Sequence, residues 1–430
     1  MKKCNYHTER ITNNLKQSRK FYELSRIERI NDLVSKNQIS FNLADRLTNN
    51  ENLTDEKLSV FTENVINQFH IPVGLVNGLK VNGKKYLVPI ATFEPSVVAA
   101  LNKATHYVNE ADGIQVTGEK LPTIGQIFVT YKKEFADIDN ELNEKKEFLI
   151  NQGNLAVPHL VQRGGGIKNI KFHLHNDICI FEVFVDSKEA MGANLVDTVV
   201  ERLAPLVAKI VDGEVISSIL SNLPDGIPFK AKAQVPLSFL GTDVAKKIVQ
   251  LSKISSFDIK RSATNNKGVM NGIIGAVIAS GNDDRAVSSA LYSGHYFDND
   301  QSFTHWEIEQ NNLVGRFNGY LPVGTVGGAI SIHPDAKNCL ELMQVKSSSE
   351  LARVFMAVGL ASNFSALYAL VTDGIQKGHM RLQAKSIALS VGITGDDLEE
   401  VVNQMILENK FDTLTAIKIK KKMEEKNDWN

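Results

Sequence analysis

The strongest constraint on the fold lies in the middle of the chain, where the hydrophobic period switches between that of strands and that of helices in a fixed order. Residues 125–131 alternate as a strand, and 137–150 carry the spacing of a charged amphipathic helix. Residues 170–175 and 178–185 alternate on either side of the turn Asn176-Asp177. Val196, Val199, Val200, Leu203, Leu206, Val207 and Ile210 then recur at helical spacing, and 215–220 reads as a last strand. The order β-α-β-β-α-β predicts a four-stranded sheet with two helices, set between limits near residues 120 and 222.

This is the ferredoxin-like pattern, and the segments flanking it differ in character. Residues 5–70 read as polar helices ending in a loop, and 79–93 as paired strands about the turn Val81-Asn82-Gly83-Lys84. Pro95 suits the first turn of an apolar helix running through Val97, Val98 and Leu101. From 223 to 372, glycine-rich stretches alternate with apolar helices such as 351–360. After Gly378 a separate helical piece ends in the charged run 420–426, read as a frayed, solvated end. The small domain is therefore expected as an insertion in a discontinuous larger one.

Composition removes whole classes of function. With 430 residues and a formal net charge of -1, the chain has two or three domains' worth of core and no electrostatic case for nucleic acid or anionic membrane. The first thirty residues resemble no signal peptide, and no run is read as reaching the roughly 18 apolar residues of a membrane span. The glycosylation-like triplets at Asn52 and Asn363 are then chance. Three cysteines, Cys4, Cys179 and Cys339, exclude a disulfide framework and a Cys-rich zinc site. They are expected as apolar filler in a reducing cytoplasm.

Two motifs mislead. The stretch from Gly78 to Lys85 nearly spells a phosphate loop, but Lys85 stands where a magnesium-binding hydroxyl belongs, within a hairpin pattern. His173, His175 and Asp177 share one strand face, yet without a third imidazole they read as solvent-facing and no metal is expected. No Gly-x-Gly-x-x-Gly fingerprint occurs, so a standard dinucleotide domain is unsupported. The phrase Ala190-Met191-Gly192-Ala193-Asn194 at a helix start offers another anion cradle, equally readable as a tight packing turn. Pro322 to Gly328 carries the same ambiguity.

Four short phrases, three of them punctuated by glycine, each hold one ionisable side chain: Glu94, Lys267, Asp283 and His379. Singly, each has a plain structural role, as helix-end complement, surface cation, N-cap or packed imidazole. Together with Glu63-Asn-Val-Ile, Phe93-Glu-Pro-Ser-Val-Val-Ala-Ala, Glu189-Ala-Met-Gly-Ala-Asn, Asn266-Lys-Gly-Val-Met-Asn-Gly, Ser293-Gly-His-Tyr, Pro322-Val-Gly-Thr-Val-Gly-Gly-Ala and Asp373-Gly-Ile-Gln-Lys-Gly-His-Met, these phrases resemble the 3-hydroxy-3-methylglutaryl-CoA reductases, in their soluble class II form. The resemblance runs in order from about residue 35 to 425. It departs at Asn67, Glu189, Asn265 and Ser362, where the family pattern has other residues.

The resemblance implies an α+β fold. A large substrate-binding domain (1–119 and 223–375) would carry an inserted dinucleotide-binding domain (120–222) and a C-terminal helical flap (376–430). It implies two successive hydride transfers that turn 3-hydroxy-3-methylglutaryl-CoA into mevalonate and CoA. Lys267 would hold the oxyanion and Asp283 would position Lys267. Glu94 would protonate the aldehyde oxygen, and His379 the departing thiolate. Ser96, Arg261, Asn271 and Asn363 would contact substrate. Met191, Gly192, Ala193, Asn194, Arg163, Gly327 and Gly328 would contact coenzyme, and the site would form between two subunits of a homodimer or an assembly of dimers. Residues 153–171 contain no acid but include Arg163, Lys168 and Lys171, which favours NADPH, with NADH the second candidate. Oxidative degradation of mevalonate and a non-catalytic CoA-binding module stand as the alternatives.

Overall fold

The computed structural model describes residues 19–49, 53–297, 301–372 and 375–427. They group into two compact units, one up to Glu56 and one from Lys57 onward, a boundary that no periodicity in the sequence marks. In the first, α1 (Arg26–Ser35) and α2 (Phe41–Thr48) bury Ile30, Leu33, Leu43 and Ala44. Ser25 and Ser40 cap them by accepting from Glu28 and Leu43 amides. A further helix, α3 (Asp55–Phe61), spans the boundary.

The second unit holds two sheets. β1 (Val73–Val81) and β2 (Lys84–Ala91) form a hairpin whose central residues, Asn82 and Gly83, both have positive φ, as a tight primed turn requires. The phosphate-loop look-alike is thus a hairpin. Next come α4 (Pro95–Asn109), β3 (Ile114–Thr117) and β4 (Thr123–Thr130). They are followed by α5 (Phe135–Asn154), α6 (Pro158–Gln162), β5 (Gly166–His175), β6 (Ile178–Asp186), α7 (Ala193–Ile210) and β7 (Val215–Ser221). Strands β4 to β7 make one sheet in the order β5-β6-β4-β7, all pairs antiparallel, which is ferredoxin-like topology. Ile127, Val129, Phe181 and Val183 pack on Val196, Val199, Val200 and Leu203 as its own core. His173 and His175 lie exposed on β5, and among the described residues no group of three metal-ligating side chains forms.

The chain then returns to the large sheet through β8 (Phe229–Pro236), α8 (Leu237–Leu240), α9 (Thr242–Phe257), α10 (Ile259–Ala279) and α11 (Asp284–Phe297). β9 (Thr304–Glu309) and β10 (Asn312–Gly319) follow, then α12 (Gly328–Ile332), α13 (Pro334–Met343) and α14 (Ser348–Val371). The six-stranded order is β2-β1-β3-β8-β10-β9, so β3 and β8 are neighbours although the whole small sheet lies between them in sequence. That adjacency is the structural form of the insertion.

Helix α14 corrects one expectation. By length and composition it is apolar enough to cross a membrane, but it is mostly buried, running through the centre of the main core. Beyond it, α15 (Ile375–Ser390), α16 (Asp396–Glu408) and α17 (Thr413–Asn427) enclose their own cluster of Ala384, Ala388, Val401, Met405, Ala416 and Ile419. The run 420–426 is therefore helical and not frayed, because Ala416 and Ile419 anchor the preceding turn.

Candidate active site

Helix α10 carries three of the expected site residues and shows what its glycines do. A Cβ on Gly272 would stand 2.9 Å from Val358 Cγ1 and 3.0 Å from Ser362 Cβ, and one on Gly275 would stand 2.5 Å from Ile90 Cγ2. These glycines let α10 press on α14 and β2, so close approach here serves helix packing and not a ligand. Ser362, one of the departures from the family pattern, donates to the Gly268 carbonyl at 2.7 Å at this contact.

On the outer side of α10, Lys267 is exposed, without an ion-pair or hydrogen-bond partner among the described residues. Asn271, one helical turn on and on the same face, is half-buried and likewise unpartnered among them. Arg261 is half-buried, its Nε is buried with no partner among the described residues, and burial pushes its pKa down. A partly desolvated guanidinium with an unused donor suits a carboxylate.

The expected Lys267–Asp283 hydrogen bond is not formed within the chain. The Asn282 amide is bonded to the Val277 carbonyl at 3.0 Å, so Asp283 sits at the level of the last turn of α10. Lys267 lies ten residues before Val277, about 15 Å of helical rise, beyond the joint reach of the two side chains. Instead Asp283 caps α11. Its Oδ1 accepts from the amides of Arg285 at 2.9 Å and Ala286 at 3.1 Å, and the Arg285 guanidinium pairs with it at 3.3 Å. Burial works to raise its pKa, but these bonds outweigh it and hold the carboxyl below its usual range.

Glu94 caps no amide of α4, and its Oε1 accepts from Ser96 Oγ at 2.8 Å. It is exposed in the single chain. Ala91, three residues before it, packs with Ala279 and Cys339 at the C-terminal end of α10, the end that carries Asp283. Cys339 and Cys179 are buried filler, both thiols pushed up to about 12 by burial; Cys4 lies outside the described residues. His379 is in the early turns of α15, which begins at Ile375, within the C-terminal helical piece.

Asn363 has a different role from the one expected. It is 1% exposed, and its Oδ1 accepts from Thr304 Oγ1 at 2.9 Å and Trp306 Nε1 at 2.8 Å. Its Nδ2 donates to Asn265 Oδ1 at 2.8 Å and toward the Asn265 carbonyl at 3.4 Å. With both lone pairs and both N–H groups engaged it has nothing left for substrate, and it serves as a buried polar tie.

The glycine-rich phrases converge. Asn282 Nδ2 donates to the Gly324 carbonyl, and the Gly324 amide donates back to Asn282 Oδ1. A Cβ on Gly324 would lie 2.5 Å from the Met191 nitrogen and 2.8 Å from the Glu189 carbonyl. The Thr325 amide bonds that same carbonyl at 2.8 Å, and Ala190 bridges Val326. Glu189 Oε2 also accepts from the Ser348 amide at the start of α14. Asp283, the 322–328 loop and the turn before α7 are thus one connected surface. Asn282 carries that connection, and sequence reasoning passed over it in favour of its charged neighbour.

At the turn, Gly192 has φ 107° and forms the N-cap of α7 with no side-chain cap, leaving free amides in the first turn of an 18-residue helix. Gly327 and Gly328 border open space across from it, with Ala190 Cβ 3.9 Å from a Cβ on Gly327 and nothing within 4 Å of one on Gly328. A pyrophosphate fits such a cradle by charge and by room. Arg163 is exposed on the neighbouring glycine loop. Lys168 and Lys188 face Asp186 at 3.8 and 2.9 Å, and Lys171 is engaged by Asp225 at 2.9 Å.

Comparison with known proteins adds a family to this geometry. Residues 25–384 match the model of the family described as hydroxymethylglutaryl-coenzyme A reductase. A 3-hydroxy-3-methylglutaryl-coenzyme A reductase of Archaeoglobus fulgidus is 39% identical over 81% of this chain and 81% of its own. A probable 3-hydroxy-3-methylglutaryl-coenzyme A reductase of Borreliella burgdorferi is 35% identical over 96% of this chain and 99% of its own. Among solved structures, the reductase of Streptococcus pneumoniae superposes with a TM-score of 0.79 at 32% identity, over 94% of this chain and 99% of its own. The class II enzyme of that organism bound to NADPH in open conformations gives 0.78 at 32% identity, over 82% of this chain and 99% of its own.

Proposed function

The chain belongs to the hydroxymethylglutaryl-coenzyme A reductase family, and on that premise we propose that it reduces 3-hydroxy-3-methylglutaryl-CoA to mevalonate and free CoA with two NADPH, in isoprenoid biosynthesis. The observation that carries this reading is the Asn282–Gly324 tie, which sets Asp283 beside the turn that opens α7. An acid and an anion cradle on one surface are what a nicotinamide-dependent carbonyl reduction needs.

NADPH supplies the hydride in each of the two reductions. Its pyrophosphate would be held by the amides of Ala193 and Asn194 beyond Met191 and Gly192, with Gly327 and Gly328 opposite. Arg163 and Lys168 would take the 2′-phosphate. Asp186, the nearby acid, is engaged by Lys168 and Lys188, which supports NADPH over NADH. Residues 120–222 would serve as the coenzyme domain, 1–119 and 223–375 as the substrate domain, and 376–430 as the flap.

Lys267 would hold the carbonyl oxygen as negative charge develops on it, at the thioester and again at the aldehyde. Arg261 would grip the substrate carboxylate, and Asn271 would add a polar contact one turn from Lys267. Glu94, oriented by Ser96, would give its proton to the aldehyde oxygen, and His379 would protonate the CoA thiolate as it leaves. Because Lys267 and Asp283 stand about 15 Å apart along α10, a second copy of the chain would complete each site. We place this homodimer in the cytoplasm.

The test is absorbance at the reduced-nicotinamide band, with 3-hydroxy-3-methylglutaryl-CoA and NADPH or NADH in parallel. Two coenzymes oxidised per CoA released is the expected result. Oxidation with neither coenzyme, from folded protein, would overturn the reading, and faster turnover with NADH would favour the degradative direction.

A further inference from the structure

Lys120 lies in the linker between β3 and β4, where the chain enters the small domain, and the chemistry above makes no use of it. Its Nζ donates to Ser187 Oγ at 2.9 Å, to the Lys188 carbonyl at 2.7 Å and to the Ala190 carbonyl. An ammonium has three N–H groups, and all three end on residues 187–190. Its backbone amide is fixed from the other side by Ser349 Oγ at 3.0 Å. Burial pushes the ammonium down to about 8, against the attraction of Glu189 and Asp186.

The turn it holds has bonds of its own, Ala190 amide to Ser187 carbonyl at 3.2 Å and Lys188 amide to Asp186 Oδ1 at 3.0 Å, but they leave the Lys188 carbonyl to the ammonium. Lys188 has φ 52°, a left-handed conformation that persists in a non-glycine residue only when its surroundings over-determine it, whereas Gly192 takes its φ of 107° without that cost. Several of its carbonyls face the linker. Ser187 Oγ donates to the Ala190 carbonyl at 2.9 Å, and Thr123 Oγ1 donates to the Met191 carbonyl at 3.1 Å. Remove the ammonium and the Lys188 carbonyl loses its closest donor, while the Ala190 carbonyl keeps only the Ser187 hydroxyl. The next residues are the uncapped start of α7.

The linker is also a crossing point. A cavity beside Lys120 is bounded by Pro122 and Thr123 on the way into the small domain, by Ser221 on the way out, and by Tyr320 and Pro322 of the large one. One side chain therefore joins the anion cradle to the place where the two domains meet.

We propose that Lys120 is a positioning residue for the coenzyme: its ammonium fixes the 187–191 turn against the interdomain linker, so that NADPH affinity depends on it while chemistry at the thioester does not. This rests on the reading of the chain as an NADPH-dependent reductase.

The test uses the full-length protein with Lys120→Met, which keeps length and loses every donor, and Lys120→Arg, which keeps donors. Three readouts are taken: NADPH binding by nucleotide fluorescence without substrate, KM and kcat for both substrates, and amide hydrogen exchange over 187–196 before coenzyme is added. Lys120→Met is expected to weaken NADPH binding about tenfold and to speed exchange in that segment, while kcat and the KM for the CoA ester stay within about twofold. Lys120→Arg is expected to recover most of the affinity. Unchanged NADPH affinity in Lys120→Met, or equal rises in both KM values, would overturn the proposal. If Lys120→Met does not fold, Lys120→Gln is judged by the same criteria. Wild-type protein that neither binds nor oxidises NADPH would sink the reductase reading, and hydrogen exchange would still decide whether Lys120 holds the turn.

Discussion

Asn282 and Gly324 are joined twice: the Asn282 amide nitrogen donates to the Gly324 carbonyl at 3.0 Å, and the Gly324 amide donates to Asn282 Oδ1 at 2.7 Å. This pair links the Asp283 turn to the loop that packs on Met191. Asn282→Ala leaves a main-chain donor and acceptor unpaired, at a cost of about 1–3 kcal/mol. Urea denaturation is expected to show that loss, with a raised KM for coenzyme. Asn282→Ala with wild-type stability and KM would show that the loop holds its place without this tie.

Gly272 tests what the glycines of α10 are for. If they serve packing, Gly272→Ala forces α10 away from Val358 and Ser362 and costs about 1–3 kcal/mol of stability. The folded fraction is expected to keep its KM for both substrates. A change in substrate KM at unaltered stability would instead mean that the glycine faces a ligand.

Asn363→Ala breaks a buried network in which Trp306 Nε1, Thr304 Oγ1 and Asn265 all lose a partner. A loss of about 2–4 kcal/mol is expected, with the KM for the CoA ester within about twofold of wild type. A selective rise in that KM, without loss of stability, would restore Asn363 as a substrate contact.

Asp283 predicts a pH dependence with a definite sign. Its folded pKa is held below the ordinary aspartate value, so the carboxylate's full contribution to stability is present above that ordinary value and is lost as pH falls through the lower folded one. Asp283→Ala removes the cap of α11 and is expected to cost about 1 kcal/mol near neutrality. Asp283→Asn keeps a capping oxygen and should cost less. The gap between wild type and Asp283→Asn, followed by thermal unfolding, is expected to close below pH 4. A gap that widens in acid would contradict the assignment.

The inserted sheet was legible because its signals are local. Alternation in 178–185 and helical spacing from Val196 to Ile210 each report a face buried within the element's own neighbourhood, and turns such as Asn82-Gly83 carry their own backbone requirement. The ties that shape the site were not legible. Asn282 and Lys120 bond to main-chain atoms of Gly324, Lys188 and Ala190, and no residue-type pattern records a carbonyl brought near by tertiary folding. Asn363 was expected at the substrate through the family resemblance, while its partners Thr304 and Trp306 come from a strand some sixty residues away. The Lys267–Asp283 pairing is not made within one chain for a different reason. Sixteen positions look close in sequence, but a continuous helix converts most of that separation into length.

That length makes a test of where the complete site resides. Lys267 projects from the middle of α10 and Asp283 follows its end, so a site that needs both must draw them from different copies. Chains carrying Lys267→Ala and chains carrying Asp283→Asn are each expected to be inactive alone. Asn at 283 keeps the helix cap, so loss there reports the charge. In a two-fold dimer a mixed pair rebuilds one of its two sites, because the intact Lys267 of one chain meets the intact Asp283 of the other. Random co-expression gives half mixed dimers, and thus about a quarter of wild-type activity. Mixed populations with no activity, from dimers shown to have exchanged subunits, would mean that both residues act from one chain and that α10 must bend or break to bring them together.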